Sequence, residues 1–249
     1  MCAIVFAISA SPALGVAIGA SGGMVIDGNE WAIPVGQDPN SDLYGIGQWD
    51  PEIQDFTGFD LTVDGEFHVM ISGVLDPDPS ILYGLAVTDF GAPSMFAFFF
   101  STPIILGPGA TTVDASVVGG LTDFTGNGVT ITPTLPDVDG DGFLELQVAD
   151  VGAPVTNMGV DVGLAFTGGP GPAGAFYAYG PYAAGPQPGP AGPWTTLSTT
   201  VGFSLTGGGD TAALTGFAQI VPEPSSMCLL GAGAIGVALA AIRRRRRRS

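Results

Sequence analysis

The segment Asp-Val-Asp-Gly-Asp-Gly-Phe-Leu-Glu, residues 137–145, gathers the side chains best suited to holding an ion. Asp137, Asp139 and Asp141 stand at alternate positions, Gly142 permits a sharp turn, and Glu145 takes the ninth place. Calcium wants about six to eight oxygen ligands at about 2.3–2.6 Å, and alternating carboxylates on a short loop converge on one centre. The backbone carbonyl of Phe143 would serve as a further ligand. If the chain has a cofactor, calcium is the one expected; the plain alternative is a solvated Asp-Gly hairpin.

Other chemistry is harder to build. His68 is the only histidine, and no Gly-x-Ser-x-Gly elbow accompanies it, so a Ser-His-Asp arrangement has no local support. A single histidine on the polar face of a strand is more simply a surface residue. Cys2 and Cys228 lie in the apolar ends, which leaves the body without thiols and without the three ligands of a zinc centre. Carboxylate pairs spaced for glycoside cleavage are assured by abundance alone. The expectation is a chain that is not an enzyme, with a glycan-active hydrolase as the lesser alternative. Phe176, Tyr177, Tyr179, Tyr182 and Trp194 cluster in the Pro/Gly-rich segment, and the faces of Tyr177, Tyr179, Tyr182 and Trp194 could stack on sugar rings or simply pin the segment that carries them.

The acidic loop has a partial likeness. An EF-hand would place its bidentate Glu at the twelfth position, here Val148, and would continue as a helix. The strand-like Phe-Leu-Glu-Leu-Gln-Val-Ala follows instead. These nine residues resemble the calcium loops between β-strands in FG-GAP-type repeats. Only one copy is present, so the resemblance does not extend to that propeller.

Strands must position these groups. Phe67, Val69 and Ile71 alternate with Glu66, His68 and Met70, the period-2 pattern of a half-buried strand. Similar stretches follow at ILYGLAVTDF, SMFAFFFSTPI, GNGVTITP, GFLELQVADV, GVDVGLAFTG, TLSTTVGFSLTG and TAALTGFAQI, separated by Gly, Pro and Asp turn signals. Phe96 to Phe100 shows no polar face, which predicts a strand covered on both sides. Residues 28–60 form a polar lead-in with weak strand pattern. Residues 168–194 hold seven prolines and eight glycines without a strict third-residue glycine, which excludes collagen and predicts a long surface loop. No helical period with caps occurs between residues 21 and 221. The fold class expected for 21–220 is all-β, a β-sandwich or jelly roll.

Charge is divided sharply. Of 23 acidic residues only Glu223 lies outside 21–221, and all six basic residues fall at the C-terminus as Arg243, Arg244, Arg245, Arg246, Arg247 and Arg248. Nucleic acid is excluded as a partner, because phosphate binding needs a basic surface. Salt bridges to Lys or Arg cannot hold the body together. The predominance of Asp over Glu fits acids placed in turns.

The two ends read as targeting segments. Residues 1–20 are apolar and finish in small residues, as expected of a secretory signal peptide, although no Lys or Arg precedes the apolar run. At the other end, the uncharged stretch 227–242 would span roughly 24 Å as a helix, slightly short of a bilayer core of roughly 30 Å. Ser225 and Ser226 extend it to 225–242 and arginine side chains can snorkel to the headgroups, so a single transmembrane helix over 225–242 is expected. The arginine cluster 243–248 would stay in the cytoplasm, with the domain outside. Val-Pro-Glu-Pro, an apolar stretch and an arginine cluster, in that order over 221–249, resemble the PEP-CTERM sorting signal. That resemblance implies Pro222, Glu223 and Pro224 as the recognition tripeptide and an exosortase as the processing enzyme in the membrane. It also implies an exopolysaccharide or biofilm setting. Two roles for the domain then stand open: a structural or adhesive surface or matrix protein, or a carbohydrate-binding or carbohydrate-active protein acting on exopolysaccharide.

Overall fold

The computed structural model describes residues 19–138, 140, 142–152 and 155–223. Among them are eighteen strands and no helix. In chain order they begin with β1 (Ser21–Ile26), β2 (Asn29–Ile33), β3 (Val35–Gln37), β4 (Tyr44–Ile46), β5 (Trp49–Asp50) and β6 (Asp55–Phe56). Next come β7 (Phe59–Val63), β8 (Phe67–Asp76), β9 (Ser80–Asp89), β10 (Ser94–Leu106), β11 (Thr111–Asp123) and β12 (Val129–Pro133). The last six are β13 (Gln147–Val151), β14 (Thr156–Asn157), β15 (Phe166–Gly168), β16 (Ala175–Gly189), β17 (Trp194–Leu205) and β18 (Asp210–Pro222).

Sixteen of these strands form two antiparallel sheets of eight strands each. One runs β14-β13-β17-β10-β1-β2, with β12 sharing the β17 edge and β15 beyond it. The other runs β16-β11-β18-β9-β8-β4-β3, with β7 beside the first half of β8. Strands β5 and β6 pair only with each other. The inward residues of both sheets make one continuous core, an arrangement consistent with a β-sandwich.

Alternation places the core as the sequence predicts for β8: Phe67, Val69 and Ile71 are buried, while His68 and Met70 point outward. Tyr83 of β9 stacks on Phe100 of β10 at 5.6 Å, and Phe67 of β8 meets Phe96 of β10 edge-on at 6.2 Å. Each such ring contributes roughly 1.5–3 kcal/mol by leaving water. A polar bridge crosses this apolar layer. The Tyr83 hydroxyl donates to Gln147 Oε1, and Gln147 Nε2 donates to the Phe217 carbonyl at 2.9 Å, so β9, β13 and β18 are tied through buried groups.

Two expectations need correction. The Phe96–Phe100 strand is covered on one face only: Phe96, Phe98 and Phe100 are buried, whereas Phe99 is 40 % exposed. The run still alternates, because no described residue covers the far side of β10; the outward aromatic concealed the period. Residues 168–194 are not a loop throughout, since they contain the fifteen-residue strand β16. Proline is tolerated there because β16 is an edge strand that pairs with β11 alone. Its register against β11 slips twice, and each slip is occupied by a Gly-Pro dipeptide, Gly180-Pro181 and Gly185-Pro186. These are β-bulges, and both glycines adopt positive φ, 78° and 95°. The extra residue at the first bulge keeps Tyr182 on the same inner side as Tyr179, three positions earlier.

Candidate functional site

The acidic loop is built as a capped turn. Asp137 accepts from the Gly140 N–H at 2.6 Å with one carboxylate oxygen and from the Gly142 N–H at 2.9 Å with the other. Both glycines lie at positive φ, which the turn requires. The loop is closed by a two-way backbone pair between Leu135 and Glu145, 3.1 Å each way. Phe143 is exposed, while Glu145 is 3 % exposed and turned toward the interior. Asp139 and Asp141 lie outside the described residues. Among the described residues no group of three or more His, Cys, Asp or Glu side chains is arranged to hold a metal.

The aromatic cluster divides by depth. Tyr179 is fully buried, its hydroxyl donating to the Leu164 carbonyl at 2.8 Å, so it offers no face to a sugar. Burial first, then Tyr182 and Glu145 nearby, push that hydroxyl's pKa well above its ordinary value of 10.0. Tyr182 is half-buried and packs edge-on against Tyr179 at 4.9 Å. The Tyr177 hydroxyl donates to the Gly169 carbonyl, and the Trp194 indole N–H donates to the Pro190 carbonyl at 3.0 Å. These four side chains therefore anchor β16 and its flanking turns to the core, while keeping three of them partly accessible.

His68 sits on the outer face of β8, its Nε2 3.0 Å from Asp60 Oδ1 across the β7–β8 pair. Its cross-strand neighbours are Thr62 and Thr88. Beside this pair a shallow trough of about 430 Å³ runs over the sheet, floored by Gly84, Ala86 and Ala213 and walled by Met70 and Asp60. Small floor residues make the trough; no base–nucleophile pair is formed by the groups that line it.

The tail site starts inside the fold. Strand β18 has Ala212, Leu214, Ala218 and Ile220 buried and Thr211, Ala213, Thr215 and Gln219 toward the outer face, so its alternation fits a sheet with one covered side. It is a central strand, held by β11 on one flank and β9 on the other. Pairing with β9 ends at Gln219↔Ser80, followed by the Ile220 N–H to the Pro79 carbonyl at 3.2 Å. On the β11 side the pairing runs further, through Val221↔Thr112 to Pro222↔Thr111. Beyond Pro222 the Glu223 N–H donates to the Ala110 carbonyl at 3.0 Å, and the Thr112 hydroxyl donates to Glu223 Oε1 at 3.4 Å. Val221, Pro222 and Glu223 are all exposed.

Comparison with protein families matches residues 221–247 to the family model of the PEP-CTERM protein-sorting motif. The chain carries a PEP-CTERM sorting motif at its C-terminus. Comparison with curated proteins finds no match. The PEP-CTERM motif supports exosortase-type sorting of an exported protein, with a membrane-associated precursor. It is a sorting signal and brings no catalytic family with it. Within the PEP-CTERM tail, Pro224, the expected helix 225–242 and the cluster Arg243–Arg248 lie outside the described residues, as does most of the expected leader 1–20. No helix long and apolar enough to cross a membrane occurs among the described residues.

Reading the motif from sequence missed its attachment. Ala110 and Thr112 bond Glu223, yet they stand more than a hundred residues earlier, at the start of β11. Nothing local marks them. The available signal was the period of β11 itself, in which Val113, Ala115 and Val117 alternate with Asp114 and Ser116.

Proposed function

We propose that this is an exported surface or extracellular-matrix protein whose all-β domain has a structural or adhesive role. Its tail would insert by the apolar segment 225–242, leave Arg243–Arg248 in the cytoplasm, and be processed by an exosortase-type enzyme at or near Pro222–Pro224. The observation that carries this reading is the PEP-CTERM motif over 221–247, joined without a spacer to the last strand of the domain. The domain's chemistry supports it. A sandwich with acids capping its turns and no Lys or Arg among residues 1–242 is suited to a hydrated, anionic surface layer. Asp38, Asp50 and Asp76 each bond the backbone N–H two residues on, which is a turn-building use of charge. The experiment is membrane fractionation of the full chain beside a chain ending at Glu223, with the shorter chain expected in the soluble fraction.

A further inference from the structure

We propose that the folded domain gates its own processing, because the sheet holds Pro222 and Glu223, the first two residues of the sorting tripeptide. The proposal rests on the tail being processed, as set out above, and adds what controls the rate. Pro222 lies opposite Thr111 at the end of β18, and Glu223 extends the same ladder to Ala110. The Thr112 hydroxyl holds the Glu223 carboxylate as well. Immediately before them, Ile220 is fully buried, and its backbone N–H is bonded to Pro79 on the β9 side.

An enzyme that acts on a peptide chain binds it extended and uses the backbone N–H and C=O groups on one edge. Here the pairing of Val221 with Thr112 and the Glu223 N–H bond to the Ala110 carbonyl already occupy the edge that faces β11, and upstream of Val221 the strand is paired on both flanks. The residues on the domain side of the tripeptide cannot enter another protein's groove while β18 is intact. The end of a ladder opens at low cost compared with global unfolding. Access therefore waits on fraying of the last residues of β18, and the contacts from Ala110 and Thr112 set how often that occurs. A domain that has not completed its central strand would present the tripeptide freely, whereas a folded one meters it. The gate is an autoinhibitory contact between the start of β11 and the sorting motif.

The test is pulse-labelling of the full chain in a host carrying the exosortase-type enzyme, following conversion of precursor to product. Two variants accompany the wild type. One has six Gly-Ser residues inserted between Val221 and Pro222; the other is Thr112→Val, which keeps the branched side chain and removes the hydroxyl donor. Loss of one to two hydrogen bonds predicts conversion about fivefold faster or more with the spacer, and about twofold faster for Thr112→Val. Equal or slower conversion of both variants, with unchanged melting temperatures, overturns the gate. If neither the wild type nor the spacer variant is converted, the processing reading itself fails, and the gate with it.

Discussion

Replacing Tyr83 by Phe removes one oxygen atom from the centre of the sandwich. That oxygen is the donor to Gln147 Oε1, and both residues are almost wholly buried. Water cannot take over the bond, so the Gln147 carbonyl oxygen would lose its donor, a defect worth about 1–3 kcal/mol. For a domain of this size each kcal/mol lowers Tm by about 2–4 °C, which gives a loss of about 6 °C at the middle of both ranges. Gln147 also donates to the Phe217 carbonyl, so Gln147→Leu should cost a similar amount on its own. The informative quantity is the double mutant. Once Gln147 is Leu, the further change Tyr83→Phe should be nearly neutral, leaving a coupling of about 1 kcal/mol or more between the sites. Urea unfolding of residues 19–223, followed by tryptophan fluorescence and circular dichroism, measures all four corners of the cycle. Additivity within about 0.5 kcal/mol would refute the account of a bridge across the core.

Two further predictions concern charge. Burial raises the carboxyls of Asp89, Asp150 and Asp210 above the ordinary 3.8, with hydrogen bonds only partly offsetting it. Their folded forms bind protons that the unfolded chain has released, so this contribution is complete below about pH 3.8 and is lost as pH rises through the raised values. Tm measured by calorimetry should therefore be higher near about pH 4.5 than near about pH 7, and a steady fall on acidification would contradict this. Asp137→Ala removes the acceptor for two turn N–H groups and should cost about 1 kcal/mol, equally in calcium and in chelator. A loss seen only in calcium would assign that carboxylate to an ion instead.

How much could be read beforehand differs from strand to strand for physical reasons. Strand β8 was legible because its inward Phe67, Val69 and Ile71 alternate with the polar His68 and Ser72 on the outer face, Met70 being the exception. In β10 the alternation was hidden, since Phe99 and Ala97 on the open face are as apolar as the buried Phe98. Composition misled most at β16. Proline and glycine argue for a loop when each residue is judged alone, but an edge position and two bulges remove the penalty, and neither is a local property. The tail was legible for the opposite reason, because a sorting signal is read by another protein as a linear string. Its anchorage to Ala110 and Thr112 was not, being a product of which strands become neighbours.

The proposed function turns on the tail tying the domain to the membrane route. Expressing the full chain and the chain ending at Glu223 in the same exporting host, then separating soluble from membrane fractions, tests it most directly. Ending at Glu223 preserves the bond to Ala110, so the fold is not the variable. The account predicts membrane-bound precursor for the full chain and soluble domain outside the cytoplasm for the shorter one. A shorter chain that remains with the membrane would contradict it.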